Sequence, residues 1–242
     1  MKKLRRITEP EVIAEFLKNE YYQEEFHQDR GRFEALVLNA DTTNDAENAL
    51  RRALLFRRRG HMWRELPPDT QWWEMGLGPG DLEQVRVFPR AQWRRVADGS
   101  FQIGAIVRRI RRNEFRGKDK AFVAKLHALS YRLRQHRDAS TLMLIGVDES
   151  RPMTILEGNH RLTAAMLASE ELALSCFRIV CGLSPRMAES CWYETNLPNL
   201  WRYAKNRFRN IVDKEADVDR VLTVTTNALT ARATQSTAPE SK

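Results

Sequence analysis

The chain has 242 residues, of which 42% are apolar and 30% charged, with six tryptophans. That composition fills a real core and excludes a wholly disordered chain. The formal net charge of +8 favours a polyanionic or phosphorylated partner and says nothing about fold.

From the N-terminus, MKKLRRITEP is positive but runs into EVIAEFLKNEYY, too short and too polar for a signal peptide or a membrane span. A soluble cytoplasmic protein with no membrane partner is the expectation. Thr8 and Glu11 make a capping-box pair with Pro10 in the first turn, predicting a helix to about Tyr22 with Val12, Ile13, Phe16 and Leu17 on its apolar face. A second helix is predicted over 44–58, closed by Arg57, Arg58 and Arg59 and stopped by Gly60. The stretch HMWRELPPDTQWWEMGLGPG is broken by Pro67, Pro68 and Pro79 and is expected to be irregular. Trp63, Trp72 and Trp73 would pin it to the body, with stacking of a ligand ring as the alternative.

Between Gln84 and Arg137 basic residues outnumber acidic ones. Phe101, Ile103, Ile106, Val107 and Ile110 share one helical face and Arg108, Arg109, Arg111 and Arg112 the other; Phe122, Leu126, Leu129 and Leu133 repeat the design with Lys125, Arg132 and Arg134 outward. The period then changes. Apolar runs over 141–147 and 153–156 read as strands, followed by a helix over 160–169, a third strand over 173–180, a helix over 187–193 and a basic helix over 201–212. The terminal TARATQSTAPESK has the composition of a disordered tail. Cys176, Cys181 and Cys191 match neither a disulfide framework nor a zinc spacing, so buried free thiols in a reducing compartment are expected.

The residues with chemistry sit at one join, MTILEGNHRLTAAMLA over 153–168. Gly158 between strand and helix permits a backbone that other residues resist, and the first amides of the helix then face outward with the positive end of its dipole. Such a start suits an anion. Arg161 adds a planar donor fork and His160 a donor that titrates near neutral pH, while Ala164 and Ala165 let the helix lie close to the sheet. Glu157 would repel a phosphate unless it meets a metal or a substrate hydroxyl or amine, or acts as a base; the alternative is that it only pairs with Arg161.

Strand, Glu157-Gly158-Asn159-His160-Arg161-Leu162-Thr163-Ala164-Ala165, helix and short strand resembles the signature of the ParB/sulfiredoxin-like superfamily, with TLMLIGVD before it and CFRIVCG after it. The resemblance covers roughly residues 84–195. It implies a mixed α/β (α+β) fold, a small mixed sheet flanked by helices. Around it would lie a helical, Trp- and Pro-rich N-terminal extension (1–83), a C-terminal helical segment (196–228) and a tail (229–242). It also implies a nucleotide, ATP or another, held with magnesium at Gly158, Asn159, His160, Arg161 and Thr163, with Glu157 and His160 catalytic and no metal bound by the protein alone. Asn159 stands where sulfiredoxins carry their reactive cysteine, which excludes sulfinic-acid repair, and the residues after Asn196 are too few for the DNA-binding and dimerisation regions of partition proteins.

The best match in pattern is the kinase-like members, so the expected function is ATP-dependent phosphotransfer to a small-molecule hydroxyl, with Arg90, Arg94 and Arg95 as further phosphate contacts. Two alternatives stay open. One is a nucleic-acid-binding or nuclease-like protein gripping a backbone with its arginine-rich helices; the other is a nucleotide-gated switch without phosphotransfer. The oligomeric state is not readable from the sequence.

Overall fold

The structure, a computed structural model, describes residues 1–89, 91–97, 99–112, 115–136, 138–212 and 217–224. In chain order the elements are β1 (Lys2–Ile7), α1 (Glu9–Glu20), α2 (Glu34–Leu38), α3 (Asp45–Trp63), β2 (Gln71–Gly76), α4 (Pro79–Leu82), β3 (Val85–Val87) and α5 (Ala91–Ala97). They continue with α6 (Ile103–Arg111), α7 (Gly117–Gln135), β4 (Thr141–Gly146), β5 (Met153–Glu157), α8 (Asn159–Ala168), α9 (Glu170–Ser175), β6 (Arg178–Leu183) and α10 (Leu197–Ile211).

The strands form one mixed sheet in the order β1-β2-β6-β4-β5-β3. Pairing is antiparallel for β1/β2, β2/β6 and β4/β5 and parallel for β6/β4 and β5/β3. The chain is therefore mixed α/β, as expected. Two compact units divide it: one comprises Met1–Val12 and Glu65–Trp201, the other Ile13–Arg64 and the chain from Arg202 onward. The boundary expected near residue 84 falls inside the first unit, because β1 and β2 belong to its sheet. The expected tail over 229–242 lies outside the described residues.

In the first unit, β4 is buried along its whole length and β5 up to Leu156, as befits inner strands covered on both faces. Ile103, Ile106, Val107 and Ile110 of α6, Phe122, Val123, Leu126 and Leu133 of α7, and Leu162, Ala164, Ala165 and Leu167 of α8 share one apolar core with them. The two amphipathic basic helices are thus present and turn inward the faces their spacing predicts.

The capping box is also formed: Glu11 accepts from the Thr8 amide at 2.8 Å, and the Glu11 amide donates to Thr8 Oγ1 at 3.4 Å. Other expectations fail. The Trp- and Pro-rich stretch contains a strand, β2, because Trp72 and Trp73 pair across it with Gly182 and Cys181. Residues Ala173–Ser175 belong to α9, started by Ser169, whose hydroxyl accepts from the Leu172 amide at 3.0 Å, so the strand begins later, at Arg178. The helix expected over 187–193 is a single 3₁₀ turn, Met187–Glu189.

In the second unit, α3 is capped by Asn44, whose side chain accepts from the amides of Ala46 and Glu47, but it does not stop at Gly60. It runs on to Trp63, with the Asn210 side chain of α10 packed against Gly60. Nor do the three arginines close the helix. Arg57 and Arg58 donate to the buried Asp29 carboxylate, Arg58 at 3.1 Å, and Arg59 pairs with Glu20 at 2.6 Å. Fully buried Arg51 donates to the Leu36 carbonyl at 3.1 Å and to Glu47 at 2.9 Å, so this unit folds around paired arginines as well as apolar residues.

Candidate functional site

The join between β5 and α8 is built as a strand-to-helix turn with one forced residue. Gly158 has φ 102°, in the left-handed region, and a Cβ there would collide with Leu142 Cδ2 of β4. Both facts demand glycine. The first bond inside the helix is from the Leu162 amide to the Gly158 carbonyl at 2.9 Å, so the amides of Asn159, His160 and Arg161 precede the intrahelical ladder, as at any helix start.

Arg161 turns back toward the sheet. Its guanidinium donates to the Glu157 carboxylate, to the Ser140 hydroxyl and, at 3.0 Å, to the Thr141 carbonyl. The two charged side chains are 17% and 13% exposed, so this partly buried fork ties the last residue of β5 to the first of β4. Arg161 and Glu157 are brought together as the sequence allowed, but as a pair; the guanidinium has internal partners rather than standing open as a phosphate donor.

His160 is exposed, and its ring stands on an aromatic pair, 5.3 Å from the Trp93 ring of α5 and 5.4 Å from the Phe122 ring of α7. Those two rings meet edge to face at 5.1 Å. Asn159 is partly buried, and its Oδ1 is wholly buried with no hydrogen-bond partner among the described residues, an acceptor that costs stability until something donates to it. Thr163 reaches the turn only at the Asn159 backbone. It is buried one helical turn on, with its hydroxyl donating to the Asn159 carbonyl at 2.8 Å.

The far end of α8 explains two of the arginines. Arg111 of α6 donates to the Met166 carbonyl at 2.9 Å and Arg134 of α7 to the Ala168 carbonyl at 3.2 Å. Both carbonyls belong to the last turn of α8, where cations favour the negative end of the helix dipole. Of the other basic residues singled out by sequence, Arg94 donates to the Pro89 carbonyl at 2.9 Å and Arg95 pairs with Asp119 at 2.6 Å, both on the helix that carries Trp93. Arg90 lies outside the described residues.

Trp93, Phe122, Ser140 and Thr141 were missed as site residues. Phe122 reads only as an inward member of an amphipathic helix, Trp93 is not singled out by the sequence at all, and nothing marks Ser140 or the Thr141 carbonyl before the fold brings β4 alongside β5. The cysteines are buried and free. Burial pushes the Cys181 thiol far up, and burial followed by the Glu65 charge raises Cys191, which makes both poor nucleophiles. Among the described residues no group of three or more His, Cys, Asp or Glu side chains is placed to hold a metal ion. Comparison with protein-family models, curated proteins and solved structures finds no match to this chain.

Proposed function

We propose that the protein has the ParB/sulfiredoxin-like fold, binds a nucleotide at the start of α8 and transfers a phosphoryl group to the hydroxyl of a small molecule. The observation that carries this reading is the coincidence, at one turn, of a glycine-opened helix start and the buried, unpartnered Asn159 Oδ1. The amides of residues 159–161 and the positive end of α8 hold phosphate oxygens. His160, exposed on its aromatic pair, donates to the same anion. Asn159 Oδ1 accepts from the substrate hydroxyl or contributes one oxygen to magnesium, an ion held mainly by phosphates and water. A nucleotide bound with magnesium supplies the phosphoryl group and the counter-charge. Glu157 takes the hydroxyl proton, with Arg161 positioning its carboxylate.

The Glu157–Arg161 pair favours a second reading, in which the same turn binds nucleotide as a switch and transfers nothing. A nucleic-acid role has less behind it, since Arg94, Arg95, Arg109, Arg111 and Arg134 each donate to a carbonyl or carboxylate of this chain.

The test is a thermal-shift panel with ATP, ADP, CTP and GTP, with and without magnesium. A rise in Tm with at least one nucleotide is expected, because a ligand of the native state alone stabilises it; no rise with any of them overturns the reading. Glu157→Gln then separates its two forms: stabilisation by nucleotide kept with turnover lost identifies the transferase, whereas wild-type protein that binds nucleotide but makes no phosphoproduct from any hydroxyl compound identifies the switch.

A further inference from the structure

Helix α10 sits inside out. Its polar side is the packed one: the Asn206 side chain donates to the Arg64 carbonyl at 3.3 Å, Asn210 lies against Gly60, and Asn199 donates to the Ala188 carbonyl at 2.9 Å. Its apolar side faces solvent. Leu197 is 82% exposed, Trp201 77%, Phe208 70% and Ile211 77%, with Ala204 exposed between them. Spaced by four, three, four and three residues, these five lie within about 80° of one another on the helix, a continuous stripe.

The charges flanking the stripe are of one sign. Lys205 and Arg207 stand about 40° beyond its two edges, Arg202 and Arg209 lie further round, and the helix contains no acid. A second copy docked on the same stripe would set these cations against their own equivalents, which opposes pairing. The stripe carries the branched aliphatics that helix pairs prefer only at its ends, Leu197 and Ile211, while Trp201 and Phe208 nearer its middle are bulky rings. A one-sided apolar stripe with Trp and Phe at its centre and Lys and Arg along both margins is instead the pattern that lies in the plane of a lipid surface, the rings at the headgroup boundary and the cations on anionic headgroups.

We propose that α10 docks the protein, peripherally and reversibly, on an anionic lipid surface. No helix among the described residues is long and apolar enough to cross a membrane, and nothing here requires one; the proposal departs from the expectation of no membrane partner, which rested on the lack of a span, a different structure from a helix lying on the surface. This inference is independent of the nucleotide reading.

The full chain is tested by co-sedimentation with vesicles of phosphatidylcholine alone and of phosphatidylcholine mixed with phosphatidylglycerol. Binding to the anionic vesicles, weakened by added salt, is expected, together with a blue shift in fluorescence from Trp201, the one exposed tryptophan among the described residues. Phe208→Glu and the double variant Lys205→Glu/Arg207→Glu each lower the affinity about tenfold or more, with circular dichroism unchanged because all three side chains are on the surface. The proposal is overturned by no binding to anionic vesicles at low salt, by equal binding to neutral vesicles, or by undiminished binding of the variants. A dimer in solution that Phe208→Glu disperses gives the stripe to a second copy, and retention only by an acidic protein gives it to a protein partner; either result also overturns the proposal.

Discussion

At the scale of single residues, the turn separates side chains that build from side chains that wait. Gly158 builds. Gly158→Ala must adopt a left-handed backbone and displace Leu142, and we expect a loss of about 3 kcal/mol in chemical denaturation. Arg161 also builds: Arg161→Ala leaves the Glu157 carboxylate partly buried without its guanidinium, for a loss of about 2 kcal/mol. Arg161→Lys recovers only part of that, because an ammonium cannot reach three acceptors in a plane. Asn159 behaves in the opposite way. Its Oδ1 has nothing to lose in the free protein, so Asn159→Ala keeps or raises the Tm while abolishing the rise produced by nucleotide. A variant that melts earlier and still responds to nucleotide assigns Asn159 to the scaffold.

At the scale of elements, α8 is held by its C-terminal end and offered by its N-terminal end. Arg111 and Arg134 arrive from two different helices to satisfy its last carbonyls, so the double variant Arg111→Gln/Arg134→Gln is expected to cost about 1–2 kcal/mol in all. It should also speed hydrogen exchange at the end of α8 before the sheet is affected; uniform exchange changes across the first unit would contradict this local role. The sequence made α1, α3, α6, α7, β4, β5 and α8 legible, because each carries an unmistakable period or cap, Thr8 with Glu11 and Asn44 among them. It hid β1, β2 and β3. Those strands are short or polar, and their stability comes from partners distant in the chain: β1 from β2, β2 from β6, β3 from β5. At the site, the chemistry of Gly158 was legible because it is local. The aromatic seat of His160 and the Ser140–Thr141 anchor of Arg161 were not, since three separate elements supply them.

At the scale of the molecule, a chain of charges, Glu11–Arg5–Glu74–Arg178, links the start of α1 to β1, β2 and β6, with contacts of 3.0 Å at each step. Burial alone would raise both carboxyls. At Glu11 the Thr8 amide and Arg5 outweigh it, and at Glu74 Arg178 and Arg5 do, so both end below their ordinary value of 4.5. Their folded-state values lie below the unfolded ones, so the stability they contribute is complete above about pH 4.5 and is lost as pH falls through the depressed range. Thermal melts from pH 7 down to pH 3 should therefore show a fall in Tm that is shallower in Glu74→Gln; an unchanged slope in that variant would remove Glu74 from the linkage.

The outer position of β1 has one more consequence. A terminal strand leaves a row of backbone donors and acceptors open to any other strand that approaches, and here four of its six residues are Lys2, Lys3, Arg5 and Arg6. The excess of positive charge on that row, offset in part where Lys3 meets Glu149 and Arg5 meets Glu11 and Glu74, opposes the addition of sister molecules to the sheet. The guard is electrostatic rather than steric, so acetylating Lys2 and Lys3 is expected to open a template for aggregation that the folded protein otherwise keeps closed.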